Sequence, residues 1–128
     1  MIEFEGVSRS YGDTLAVRHL DLKIGSGELF AMLGHNGAGK TTTIKMLVGL
    51  LRPESGRVLV DGRDVVTQVR DATRRIGYVP DEPYLYDKLS GREFLQFVAQ
   101  MHGLDPEHTA AAIEREIERF GLGRFADE

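Results

Sequence analysis

Apolar residues alternate with charged ones near the start of the chain. Residues 2–5 and 20–24 both show this period of two, which predicts two half-buried strands. Between them, residues 6–12 are predicted to form a loop that contains Tyr11. Residues 28–33 form a short apolar run that ends at a glycine, and this pattern predicts a fully buried strand.

After Gly39 the apolar residues follow helical spacing, so we expect a helix that begins inside a glycine-rich loop. The segment 53–56 contains Pro and Gly and should stop this helix and turn the chain. Residues 57–60 and 76–79 predict two short strands. Asp61-Gly62, directly after the first of them, is typical of a hairpin turn.

The last third of the chain predicts two helices. Ser90 with Glu93 makes a capping box before the first, and Pro106 opens the second. Their apolar faces are expected to contain Phe94, Phe97, Val98 and Met101 in the first, and Ile113, Ile117 and Phe120 in the second. With strands first and helices later, the fold class is α/β with an antiparallel N-terminal part.

Composition excludes several classes of protein. The 128 residues suffice for one domain, and 41% hydrophobic with 28% charged residues is ordinary for a globular chain. The net charge of −4 gives no reason to expect nucleic acid as a partner. With no cysteine, disulfides and thiolate metal sites are ruled out. No apolar stretch approaches the roughly 18 residues of a membrane span.

One motif carries chemistry. Residues 34–41 fill every fixed position of the phosphate-loop pattern G-x-x-x-x-G-K-[ST]. A polyphosphate requires several backbone N–H groups aimed at one point, and glycines let a concave loop reach that shape. The candidate nucleotide-binding residues are Gly34, His35, Asn36, Gly37, Ala38, Gly39, Lys40, Thr41 and Thr42.

The residues that end the motif have distinct roles. Lys40 would place a compact positive charge between the β- and γ-phosphates. The hydroxyl of Thr41 suits Mg²⁺, and Thr42 can reach the α-phosphate. His35 occupies a variable slot and is interpreted as a solvent-facing loop residue. The alternative is a glycine-rich turn that matches the pattern by chance, which the strand before it and the helix after it disfavour.

Further residues around the motif carry a family resemblance. They comprise Tyr11-Gly12, the segment 17–33, the loop itself, Pro53, Ser55-Gly56 and Asp61-Gly62. Together they resemble the ATP-binding cassette of ABC transporters over essentially the whole chain. Residues 76–80, with 85–86 and 89–95, are similar to the subgroup paired with ABC-2-type permeases.

The resemblance implies a fold, cofactors and partners. The fold would be a P-loop nucleotide-hydrolase core with the start of a helical subdomain. Residues 1–80 would form the β-rich part with the P-loop unit, and residues 81–128 the Q-loop region and the first helices of the subdomain. The cofactors would be ATP and Mg²⁺, and the partners a membrane permease and a second ATP-binding subunit. The location would be cytoplasmic, peripheral on the inner face of the membrane.

The resemblance also assigns two residues outside the loop. Tyr11 would stack on the adenine, whereas spacing alone equally allows a tyrosine that packs on its own sheet. Asp81 stands where the family usually has glutamine. A carboxylate can still hold Mg²⁺, although it adds negative charge near the γ-phosphate. The alternative for Asp81 is a solvated loop. The segment from Tyr84 to Tyr86 would contact the permease.

Catalysis is not assigned to any residue of this chain. Residues 58–61 imitate the Mg²⁺-binding strand of P-loop enzymes, but Asp61-Gly62 is a turn signal. Residues 89–91 imitate the family's signature motif, but Ser90 is better explained as a helix cap. The family's signature motif, catalytic Glu and switch His have no match. We therefore expect an ATPase only as the complete subunit. The alternatives are a non-hydrolysing nucleotide-binding fragment and an ABC-type ATPase outside transport.

Overall fold

The structure is a computed structural model that describes residues 1–82, 85–86 and 88–128. The elements in these ranges are β1 (Ile2–Tyr11), β2 (Thr14–Ile24), α1 (Lys40–Leu47), β3 (Ser55–Val60), β4 (Arg63–Asp64), α2 (Val69–Thr73), α3 (Gly91–Met101) and α4 (Pro106–Phe120). The chain divides into two compact units, Met1–Tyr78 and Val79–Glu128.

The first unit is built on an antiparallel sheet with the strand order β2-β1-β3-β4. On the central strand β1, Phe4 lies opposite Leu22 on one side and Val58 on the other. Phe4 and Val58 are buried, so the alternation seen in the sequence does place one face of the sheet against the core. This sheet followed by helices confirms the predicted α/β class with an antiparallel N-terminal part.

The predicted loop over residues 6–12 is wrong, because β1 continues through Tyr11. The register of β1 against β2 shifts between Phe4 and Val7, and Gly6 there has a φ of 57°. Such a bulge interrupts the period of two, which is why the strand seemed to end at Gly6. The Gly6 amide donates a hydrogen bond of 2.6 Å to Asp21 Oδ1.

The core of the first unit lies between this sheet and the helix α1. The largest side chains that are completely buried are Met46, Val7, Val58 and Val65. Met46 comes from α1, whereas Val7 and Val58 come from β1 and β3. The helix that follows the glycine-rich loop is therefore anchored to the sheet by its one fully buried apolar side chain.

The Asp61-Gly62 hairpin is confirmed, since Val60 pairs with Arg63 and both turn residues have positive φ angles of 48° and 74°. The Asp61 carboxylate lies 2.7 Å from the N-terminal ammonium and 3.2 Å from Arg75 Nη1. The hydrogen bond from the N-terminal ammonium is the main reason why the pKa of Asp61 lies below its usual range. Asp61 thus links the turn after β3 to the N-terminus and to Arg75.

Two predicted strands do not form. Residues 28–33 and 76–79 are not in any strand, and Leu29, Leu33 and Val79 are at least 90% exposed. A strand requires a hydrogen-bonded neighbour, and within the described ranges neither segment has one. Apolar composition indicates that a segment can be a buried strand, but it does not supply the neighbouring chain.

The second unit contains the two predicted helices, and both predicted starts are confirmed. The Ser90 hydroxyl accepts from the Glu93 amide while the Glu93 carboxylate accepts from the Ser90 amide at 2.9 Å, completing the capping box. Pro106 is the first residue of α4, and its N-cap is Asp105. No helix among the described residues combines the length and the apolar character needed to cross a membrane.

The predicted apolar face of α4 is only partly buried. Ile113 and Ile117 are buried and form a small cluster with Ala126, but Phe120 is 66% exposed. Arg92 at the start of α3 joins the elements of this unit, because its guanidinium binds both Asp127, at 2.7 Å, and Glu114. The elements of this unit are therefore joined by ion pairs as well as by a very small apolar core.

Met46→Ala should lower the free energy of unfolding by about 2–5 kcal/mol, because it leaves a cavity under α1. Urea denaturation measures the change. The matched control is Leu50→Ala, which removes an equally apolar side chain that is 67% exposed. That change should stay within about 0.5 kcal/mol. Equal losses in the two variants would contradict the proposed anchoring of the helix.

Candidate phosphate-binding site

The glycine-rich loop ends where α1 begins, at Gly39, the N-cap residue of the helix. The Thr43 amide donates to the Gly39 carbonyl at 2.8 Å, the first bond of the helical ladder. The amides of Lys40, Thr41 and Thr42 precede it and have no intrahelical acceptor. No side chain of the described residues caps the helix. Free N–H groups and the positive end of the helix dipole are therefore presented together.

Gly39 is required here for steric reasons. Its φ is 82°, and a Cβ atom at this position would lie 2.3 Å from the Ala16 carbonyl oxygen and 3.1 Å from Val17 Cγ2. Both neighbours belong to β2, so the loop is pressed directly against the backbone of the N-terminal hairpin. A side chain at residue 39 would push the start of the helix away from the sheet.

The Lys40 side chain folds back over its own loop. Its ammonium donates to the carbonyl oxygens of Gly34, at 2.5 Å, and His35, at 2.8 Å. Two carbonyl oxygens of the loop thus hold a cation, while the amides at the helix start have no intrahelical acceptor. This arrangement places a positive charge at the loop. The hydrogen bonds from the ammonium to neutral carbonyls could be replaced by stronger ones to an anion.

Two further contacts shape the turn before the helix. The Ala38 amide donates to the His35 carbonyl at 3.2 Å, and His35 Nδ1 donates to the Asn36 carbonyl at 2.7 Å. His35 is exposed, in agreement with the prediction of a solvent-facing residue. Gly37 has a φ of 87° and open space where a Cβ would lie. The loop is therefore held by hydrogen bonds among its own residues, and it has open space beside Gly37.

The three threonines after Lys40 differ in their surroundings. Thr41 is exposed and Thr42 is half-buried. Thr43 was missed by the sequence analysis. It is buried, and its hydroxyl donates to the Gly39 carbonyl at 2.9 Å. Its position four residues after Gly39 was the available signal, since threonine on a helix commonly bonds the carbonyl four residues earlier.

Tyr11 lies at the end of β1, opposite Thr14 of β2, and is half exposed. The guanidinium of Arg9 lies over its ring, 5.5 Å from the centroid. The same β1–β2 hairpin contacts Gly39 through Ala16 and Val17. The structure therefore places Tyr11 and the glycine-rich loop on elements that pack against each other.

The remaining predicted residues belong to the second unit. Asp81 is exposed there. Tyr84 lies outside the described residues, whereas Leu85 and Tyr86 are exposed. The Tyr86 ring lies near the rings of Phe94, at 6.3 Å, and Phe97, at 5.7 Å between centroids. The ranges that the structure describes contain no group of three or more His, Asp or Glu side chains placed to hold a metal.

Comparison with known proteins places this loop in a family. The model of the ABC transporter family matches residues 17–128. The daunorubicin resistance ATP-binding protein DrrA3 of Streptomyces coeruleorubidus is 38% identical over 121 residues, covering 94% of this chain and 38% of that protein. The ABC transporter ATP-binding protein NatA of Bacillus subtilis (strain 168) is 39% identical over 127 residues, covering 95% and 52% respectively.

A solved structure described as the ATP-binding subunit of an ABC transporter is similar over the whole chain. Its TM-score is 0.90 at 28% sequence identity, and the match covers 100% of this chain and 53% of that one. The chain therefore spans about half or less of the length of the proteins that it matches.

Gly39→Ala should destabilise the protein more than Gly62→Ala, although both glycines have similar positive φ angles of 82° and 74°. Gly62 has no atom near the position of a Cβ, so its replacement costs about 1 kcal/mol for the left-handed backbone alone. Gly39→Ala adds the clash with the Ala16 carbonyl. Urea denaturation of the two variants measures the difference, and equal losses would show that the loop can move away from β2.

Proposed function

The chain belongs to the ABC transporter family, and from this membership we propose that it binds MgATP through the loop 34–42. We further propose that it forms the N-terminal part of a transport ATPase subunit. The observation that carries the proposal is the Lys40 ammonium held by the loop carbonyls of Gly34 and His35, next to amides without intrahelical acceptors. Cation and donors together make a site for a polyphosphate.

Phosphate binding would exchange partners at Lys40. The ammonium would leave the Gly34 and His35 carbonyls for oxygens of the β- and γ-phosphates, since an ionised acceptor forms a stronger hydrogen bond than a neutral carbonyl. The amides from Gly37 to Thr42 would then donate to the same phosphates. His35, Asn36 and Ala38 would take part through the backbone of the loop. In this proposal the Lys40 side chain changes partners, and the Ala38 amide, which donates to the His35 carbonyl at 3.2 Å, would do so as well.

Mg²⁺ fits this site as a partner of the nucleotide. The hydroxyl of Thr41, an exposed residue, would supply one hard oxygen ligand. Asp81 is proposed as a second from the family resemblance alone. Mg²⁺ in nucleotide sites is usually held by one or two protein groups together with phosphate oxygens and water. A small protein ligand set therefore agrees with its binding here. When bound, the ion would neutralise charge between the phosphates.

Base recognition is proposed for Tyr11. Its ring is half exposed at the end of β1, and a flat π-face there can stack on adenine. The competing interpretation, a tyrosine packed on its own sheet, is disfavoured by this exposure. The β1–β2 hairpin that carries Tyr11 also contacts Gly39, which supports a common site for base and phosphates.

Transport is proposed from the relatives. These relatives include a daunorubicin resistance ATP-binding protein and a bacitracin transport ATP-binding protein, which supports a role with a membrane permease of the exporter type. A second ATP-binding subunit would complete the site, and the location would be cytoplasmic at the membrane. The exposed Leu85 and Tyr86, with Phe94 and Phe97, offer an apolar surface for the permease. Nucleic acid is not proposed as a partner, because the net charge of the chain is −4.

Hydrolysis is proposed only for the complete subunit. Phosphoryl transfer needs an oriented water and charge stabilisation around the whole γ-phosphate. The loop, Lys40 and Thr41 would serve one side of that phosphate, and no residue of this chain is assigned to orient the water. The chain by itself would then be a nucleotide-binding module without turnover, which is the second candidate function.

Lys40→Ala should weaken MgATP binding by about 10- to 100-fold, the amount expected when charge-assisted hydrogen bonds are lost. Titration calorimetry measures the affinity, and circular dichroism shows whether the fold is kept. Lys45→Ala is the matched control, because Lys45 is an exposed lysine on the same helix. Unchanged affinity in a folded Lys40→Ala variant would refute the phosphate site.

The purified 128-residue chain should release no phosphate from MgATP above the rate of its Lys40→Ala variant. A phosphate-release assay compares the two proteins, and the variant controls for contaminating ATPases. Turnover of about one per second, within the ordinary range for enzymes, that disappears in Lys40→Ala would show that this chain holds the residue that orients the water.

A further inference from the structure

We propose that Arg9 is a positioning residue for base recognition, holding the ring of Tyr11 so that one face is free to stack on a purine. The inference rests on the proposed nucleotide site, because it assigns the base to Tyr11. Its direct basis is the guanidinium of Arg9, which lies over the Tyr11 ring, 5.5 Å from the centroid. That distance is within the range of an attractive cation–π contact.

Arg9 also contacts the segment that follows α1. Its Nη1 donates to the Arg52 carbonyl at 3.3 Å and lies 3.8 Å from Glu54 Oε1. Only 26% of its side chain is exposed, and its Nε is buried without a hydrogen-bond partner among the described residues. The Arg9 side chain is thus partly but not fully removed from water, so its attraction to the ring is expected to be that of a solvent-accessible cation–π contact.

A cation fixed over one face of a ring has two consequences for a ligand. The first is that the occupied face cannot take the base, so stacking is directed to the other face. The second is that the ring loses rotational freedom before the ligand arrives, which lowers the entropy cost of binding. Tyr11 remains 49% exposed under this arrangement, so a face of the ring is available.

A purely structural role for Arg9 is the competing explanation, since its contacts join β1 to the segment after α1. Two other hydrogen bonds already make that connection. The Ser10 amide donates to Glu54 Oε2 at 3.1 Å, and the Glu54 amide donates to the Ser8 carbonyl at 2.9 Å. Because the strand is tied without Arg9, the guanidinium is available to act on Tyr11.

The test compares MgATP with inorganic triphosphate, which has no base. Titration calorimetry on Arg9→Met should show a loss of about two- to fivefold in ATP affinity, the size of an exposed cation–π contact, without a matching loss for triphosphate. Arg9→Lys, which keeps a cation, should recover part of the loss. Arg57→Met is the matched control, because Arg57 is paired with Glu5 on the neighbouring strand. This variant should bind both ligands as the unchanged protein does.

A double-mutant cycle with Tyr11→Ala decides whether Arg9 acts through the ring. Tyr11→Ala alone should weaken the binding of ATP but not of triphosphate. Adding Arg9→Met to it should cause no further loss of ATP affinity. Additive losses, or equal losses for ATP and triphosphate, would overturn the inference and assign Arg9 to the fold. Failure of the nucleotide site itself looks different, because triphosphate would then bind the unchanged protein and Lys40→Ala equally or not at all.

Discussion

The close approach between Gly39 and the backbone of β2 is the contact on which the candidate site depends. Because residue 39 has no side chain, the Ala16 carbonyl can lie where a Cβ would otherwise be. The start of α1 is therefore set directly against the N-terminal hairpin, and the one fully buried apolar residue of the helix, Met46, fixes its other end in the core. These two contacts set the position of the free amides at the start of the helix.

Electrostatics then determines what the loop can hold. In this structure the Lys40 ammonium donates to two carbonyl oxygens of its own loop. Neutral carbonyls are weaker acceptors than phosphate oxygens, which supports the proposal that Lys40 exchanges them for a polyphosphate. Arg9 applies charge differently, because it binds a ring face and orients a neighbour. The two basic residues divide the proposed recognition of phosphates and base between them.

The two apolar segments that do not form strands follow from the same dependence on neighbours. Residues 28–33 lead into the loop and residues 76–79 lead into the second unit, and both contain strongly exposed apolar side chains. Burial of a strand requires hydrogen-bonded chains at its sides, which a segment cannot provide for itself. The chain spans about half or less of the length of its matched relatives.

Local interactions are what the sequence by itself determined. The phosphate-loop pattern, the capping box of Ser90 and Glu93, the helix start at Pro106 and the Asp61-Gly62 turn each involve residues a few positions apart. Such geometry follows from the residue types alone. The tertiary structure decided the contacts between distant residues: the continuation of β1 through a bulge at Gly6, the approach of Ala16 to Gly39, and the seat of Arg9 between Tyr11 and the chain near Arg52. These depend on which backbones meet in space, and neither periodicity nor spacing along one chain contains that information.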